Sequence, residues 1–142
     1  MKNSVKKEIK KTIKELNLNC SIEEFKDKVN WDYISYSQNL SENFIREFKD
    51  NVIWEYISKY QKLSENFIRE FKDKVDWYCI SEYQNQKLSE DFILEFKDKV
   101  DWKILKKYRN ITKKDIEEYE LKKIIEENNK TRVKNKFKLI RF

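Results

Sequence analysis

Leu63-Ser64-Glu65-Asn66-Phe67-Ile68-Arg69-Glu70-Phe71-Lys72-Asp73-Lys74-Val75-Asp76-Trp77-Tyr78-Cys79-Ile80-Ser81-Glu82-Tyr83-Gln84 is one copy of a recurring unit. The stretch before it, Leu40 to Gln61, matches it at 17 of 22 positions and differs only at 51, 53, 55, 56 and 59. Leu88 to Tyr108 repeats it with more changes, and a degenerate earlier copy places Phe25, Val29, Trp31 and Ile34 at the same offsets. Trp31, Trp54, Trp77 and Trp102 mark the period, in steps of 23, 23 and 25 residues. A period of that length signals a repeat array, in which each unit hides its apolar face against its neighbours.

Within the unit the punctuation is that of two short helices. Ser41, Ser64 and Ser89 stand as N-caps of a first helix, each followed by acidic residues that suit a helix N-terminus. Leu40, Leu63 and Leu88 precede those caps, and Ile45, Ile68 and Ile93 follow at the fourth helical position, the spacing of a hydrophobic staple. Asn30, Asp76 and Asp101 cap a second helix, with Val75 spaced to staple Ile80 and Val100 to staple Leu105. Ser21-Ile22-Glu23-Glu24 fits a capping box for the first copy. Ile53 stands where the other copies carry a capping residue, which should weaken that cap by about 1 kcal/mol. Helices of about 8–11 residues are marginal alone, so packing must hold them.

The apolar positions follow. The first helix presents Phe44, Ile45, Phe48 and Val52, and their equivalents in each copy. The second is expected to turn inward Trp54, Ile57 and Tyr60, then Trp77, Ile80 and Tyr83, then Trp102, Leu105 and Tyr108. The tryptophans are expected in the core, where truncating one costs about 3–5 kcal/mol. At the ends, Val5, Ile9, Ile13 and Leu16 form one helical stripe, Ile111-Thr112 mimics Leu88-Ser89, and Ile116 and Tyr119 fall where Ile93 and Phe96 would. The expected fold is therefore all-α, an α-solenoid of stacked short helical hairpins with N- and C-terminal capping helices. It forms a single repeat domain over 1–142, with an N-terminal cap helix at 1–18, four hairpins at 19–110 and a C-terminal cap helix at 111–129. The basic tail, 130–142, fits a helix through Val133, Phe137 and Ile140, or a strand through Val133, Phe137 and Leu139.

Composition narrows the function classes. Charged residues are 41% and aromatic residues 15% of the 142, and glycine, proline and histidine are absent. Turns that need positive φ must then use asparagine. Without histidine there is no imidazole base or metal triad, and without glycine no phosphate-cradling loop of the usual kind. The carboxylates recur in every copy, which suits caps and surface ion pairs better than one tuned dyad. No enzyme activity, cofactor or metal is expected. Cys20 and Cys79 suggest neither a disulfide framework nor a zinc site. No apolar run approaches the ~20 residues of a membrane span, and the N-terminal stretch has no signal-peptide core. An intracellular, cytoplasmic protein without a membrane partner is expected. The net charge of +6 divides as +4 in residues 1–18, −2 in 19–110 and +4 in 111–142, so the basicity belongs to the two ends.

Between near-identical copies, the positions that change point to a surface. The outward pair of the second helix reads Asp32/Tyr36, Glu55/Lys59, Tyr78/Glu82 and Lys103/Lys107, running from acidic to basic along the array. Solenoids use such rows for recognition; drift on a solvated face gives the same pattern. Ile53 adds a candidate apolar contact. A protein partner bound by these residues is the first reading. The second is nucleic-acid binding through Lys6, Lys7, Lys10, Lys11 and Lys14 together with Lys134, Lys136, Lys138 and Arg141. A structural or self-associating protein is the third.

The unit L-S-E-[ND]-F-I-x-E-F-K-D-x-V-x-W-x-x-I-S-x-Y-Q, over Cys20 to Asn110, resembles a short tandem helical repeat of uncharacterised phage, giant-virus and Gram-positive bacterial proteins. The resemblance implies architecture alone. If the source is a phage, a small basic-ended binder without catalytic residues resembles, by analogy, inhibitors of a host defence complex such as anti-CRISPR proteins, acting in the host-cell cytoplasm.

Overall fold

The computed structural model describes residues 1–84 and 88–140. Its contacts form two compact units, residues 1–84 and 85–142. The first contains α1 (Asn3–Glu15), α2 (Phe25–Lys28), α3 (Trp31–Ser37), α4 (Glu42–Glu47), α5 (Trp54–Tyr60), α6 (Glu65–Glu70) and α7 (Trp77–Tyr83). The second contains α8 (Glu90–Glu95), α9 (Trp102–Arg109) and α10 (Lys113–Ile140). Every regular element among the described residues is a helix. The protein is all-α and built of repeated helix pairs.

The caps appear where the chain spells them. The side chains of Ser41, Ser64 and Ser89 accept hydrogen bonds from the backbone N–H of Phe44, Phe67 and Phe92. Asn30, Asp76 and Asp101 do the same for Tyr33, Cys79 and Ile104. Ile53 offers α5 no side-chain acceptor. Ser21 and Glu24 form the reciprocal box, with Glu24 N–H to the Ser21 hydroxyl at 3.2 Å and Ser21 N–H to the Glu24 carboxylate at 3.0 Å. The Ser21 amide holds the Glu24 carboxyl below the ordinary carboxylate range. Asparagine takes the place of glycine after α1. Asn17 has φ 52, and the Leu18 N–H reaches the Ile13 carbonyl while the Asn17 N–H reaches that of Lys14, which closes a Schellman motif.

The first helix of each pair is shorter than its apolar pattern suggests. In α4 the last helical bond runs from Phe48 N–H to the Phe44 carbonyl, and then Asn51 and Val52 both donate to the Phe48 carbonyl. That tight turn lets Phe48 and Val52 stay buried while the chain reverses into the next helix. Phe25, Phe44, Phe67 and Phe92, with Ile45, Ile68 and Ile93, lose all exposure. The staple leucines Leu40, Leu63 and Leu88 are buried beside them.

Phenylalanine and isoleucine, not tryptophan, form the innermost core. Trp31, Trp54, Trp77 and Trp102 are half-buried. Each lays its ring on the core and donates its indole N–H to the carbonyl five residues back, at Lys26, Lys49, Lys72 and Lys97, at 2.9–3.0 Å. A ring with one polar edge settles at a rim, where that edge can find a carbonyl. The Trp54 ring centroid lies 4.9 Å from that of Phe71.

Polar side chains join one copy to the next. In the first unit α3 packs on α5 and α5 on α7. Gln61, 3% exposed, crosses the first of these contacts. Its carbonyl accepts from Leu40 N–H at 2.9 Å, and its amide donates to the carbonyls of Ser35 (2.9 Å) and Gln38 (2.7 Å). Gln84 repeats the contact one copy later, donating to Ser58 and Gln61. The Ser35 hydroxyl accepts Ile53 N–H and the Ser58 hydroxyl accepts Asp76 N–H. In the second unit Arg109 stands at the end of α9 and donates to the Leu88 carbonyl at 2.6 Å. No buried side-chain polar atom among the described residues lacks a partner.

The N-terminal cap helix mimics a copy. Val5 and Ile9 are buried and α1 packs on α4. The Glu8 carboxylate takes the backbone N–H of Ser41 at 2.8 Å, as the Glu42 carboxylate takes that of Ser64 at 2.6 Å. In the second unit α10 packs on α8 through buried Ile116. Tyr119 O–H and Lys123 both donate to Asp91, and Lys97 pairs with Glu120. The stretch for which helix and strand both fitted the pattern continues α10 as helix to Ile140.

A candidate tyrosine-faced interaction surface

The outer side of α3, α5 and α7 is lined with tyrosine. Tyr33 and Tyr36 come from α3, Tyr56 and Tyr60 from α5, and Tyr83 from α7. Tyr36 is central: its ring centroid lies 5.6 Å from Tyr33, 5.9 Å from Tyr56 and 6.1 Å from Tyr60. Tyr56 and Tyr60 are themselves 6.1 Å apart. These are edge-to-face and tilted contacts, the arrangement that ring quadrupoles favour. The rings nevertheless face solvent, with Tyr36 47% and Tyr60 50% exposed. Lys59 extends the cluster, its ammonium 5.1 Å from the centroids of both Tyr60 and Tyr83. Its pKa is raised, chiefly by the Tyr60 hydroxyl and then by that of Tyr83.

Tyr60, Tyr83 and Tyr108 were expected inside and are exposed. The correction follows from the wheel. At about 100° per residue, Gln61 falls within the arc spanned by Trp54 and Ile57 and Ser58 lies about 40° beyond Trp54, whereas Tyr60 lies about 60° beyond Ile57 on the opposite side. Ser58 and Gln61 are buried. Gln61 occupies the middle of the inward face and Ser58 one side of it, and the tyrosine falls beyond the other side. The chain carried a usable signal: Ser35, Ser58 and Ser81, like Gln38, Gln61 and Gln84, stay identical while their surface neighbours drift.

No protein-family model, curated protein or solved structure matches the chain. The surface is therefore read from its own residues. Tyr36 and Lys59 of the outward row come together with the tyrosines above. Asp32 and Glu55 are exposed at the start of α3 and α5, and Tyr78 is exposed on α7, while Glu82 is half-buried. Ile53 is only half-buried, its N–H tied to Ser35, so it offers a partial apolar contact. Lys103 and Lys107 are exposed on α9 in the second unit, where Lys107 lies 4.9 Å from the Tyr108 ring centroid.

The basic candidates fall on two helices. Lys6, Lys7, Lys10, Lys11 and Lys14 are all exposed on α1, within an arc of about 140° opposite Val5 and Ile9. Lys11 is paired with Glu15 at 3.6 Å. Lys134, Lys136 and Lys138 are exposed on α10, and Arg141 lies outside the described residues. Among the described residues no group of His, Cys, Asp and Glu side chains is gathered to hold a metal ion. Both cysteines are free. Cys79 is buried on the inner side of α7, and burial, with Asp76 beside it, pushes its thiol pKa up to about 11. A thiol so placed is no nucleophile at neutral pH. No helix among the described residues is long and apolar enough to cross a membrane.

Proposed function

We propose that the protein is a non-enzymatic protein-binding module whose contact surface is the tyrosine cluster on α3, α5 and α7. The observation that carries this reading is a set of exposed and half-exposed rings on short helices, four of them in contact around Tyr36 and Tyr83 joined to them through Lys59. Tyrosine supplies large contact area at little cost in side-chain entropy, which is why binding surfaces are rich in it. The rings stand beside positions that differ from copy to copy, where a repeat protein sets its specificity. An inhibitor that occupies a host complex is one form such a module takes, acting through this surface by occupancy alone.

The test is capture of a partner from the native host, identified by mass, and then titrated with purified variants. Tyr36→Ser and Tyr60→Ser are each expected to weaken that partner by at least ~30-fold, the 2 kcal/mol mark of a binding hot spot. Lys103→Glu, on the other unit, serves as the comparison. Full affinity in the double tyrosine variant, with its melting temperature unchanged, overturns the proposal.

A further inference from the structure

The last turns of α10 are covered by no other element among the described residues. From Ile124 to Ile140 every residue is exposed, and Val133, Phe137 and Ile140 show 53%, 65% and 70% of their surface to water. At about 100° per residue these three fall within an arc of about 60°. Lys130, Lys134 and Lys136 flank that arc, and no acidic residue follows Glu127. A helical stretch left this exposed gains little tertiary stabilisation, and among the described residues no surface covers its apolar stripe.

Charge complementarity says what that surface is. We propose that residues 130–140 of α10 lie on an anionic lipid surface, with Val133, Phe137 and Ile140 in the acyl boundary and the lysines among the headgroups. No spanning run is needed, because such a helix lies in the plane of the interface. Lysines at the border of the stripe can bury their stems and keep the ammonium groups at the headgroup level. A nucleic acid would satisfy the lysines, but it gives Val133 and Ile140 nothing to bury against. The lipid uses both halves of the pattern.

The experiment is co-sedimentation of the full chain with vesicles of phosphatidylcholine alone and of a phosphatidylcholine–phosphatidylserine mixture, over a salt series. Binding is expected only to the mixed vesicles and should fall as salt rises. Lys130→Gln, Lys134→Gln and Lys136→Gln combined should lower it by about a hundredfold, at roughly fivefold per lysine. Phe137→Ser with Ile140→Ser should lower it at least tenfold with every charge kept. These sites are exposed, and circular dichroism checks that each variant keeps its helix content. No binding to mixed vesicles at low salt overturns the proposal. So does binding indifferent to the Phe137/Ile140 pair. Tighter binding to a DNA duplex than to mixed vesicles, unchanged in that pair, reassigns the segment to nucleic acid. The tyrosine surface is untouched in all these variants, so its reading stands or falls separately.

Discussion

Replacing Gln61 by methionine tests how one copy is joined to the next. The change keeps the length of the side chain and removes both its acceptor and its donors. Three backbone groups lose their partner: the N–H of Leu40 and the carbonyls of Ser35 and Gln38. At a net ~1 kcal/mol per buried hydrogen bond, the loss is about 3 kcal/mol, and more if the dry carbonyls stay unpaired. For a chain of this size that corresponds to a fall in melting temperature of about 6–12 °C. Urea unfolding followed by tryptophan fluorescence and by circular dichroism gives the same quantity independently. Gln38→Met is the internal control. Gln38 is half-buried and its part in the ladder is played by its backbone carbonyl, so less than about 1 kcal/mol should be lost. Gln61→Glu should cost more than methionine at neutral pH, because a carboxylate would then face two carbonyls. Its deficit should shrink on acidification, when a protonated carboxyl can donate to one of them. If Gln61→Met lies within about 0.5 kcal/mol of the parent, the surface-mutation range, the ladder does not join the copies.

Ile53→Asp should restore the missing cap of α5 and raise stability by about 1 kcal/mol, read as a higher urea midpoint with an unchanged slope. Trp54→Phe should cost about 1–2 kcal/mol in the same assay, since it removes the indole donor to Lys49 and part of a half-buried ring but leaves the Phe71 contact. The Cys79 thiol is held protonated in the fold, from an ordinary 9.0 to about 11. The stability it contributes is whole below pH 9 and lost as pH rises through 11, because the unfolded chain releases that proton first. Cys79→Ala should therefore lose less stability over that window than the parent, in melts at matched ionic strength. An equal loss in both would sink the assignment.

The amino-acid sequence alone determined the number and kind of elements, because each short helix is announced by chemistry local to it. A serine or aspartate caps it, an apolar residue sits before the cap, and the tryptophan beat recurs with the copy. Those signals act over a few residues, so they survive without knowledge of what lies across the interface. The inward face of the second helix was not decided at that range. Its tyrosines were assigned to the core by their ring surface, while Ser58 and Gln61 were given no place on the helix. Only packing places the helices of successive copies against each other, and that contact supplies the backbone carbonyls and N–H groups that pair Ser58 and Gln61 indoors. Once Gln61 holds the centre of the face and Ser58 one side of it, the tyrosines lie beyond the other side and meet one another in water. The candidate surface exists because buried hydrogen bonds between copies outrank the burial of one more ring.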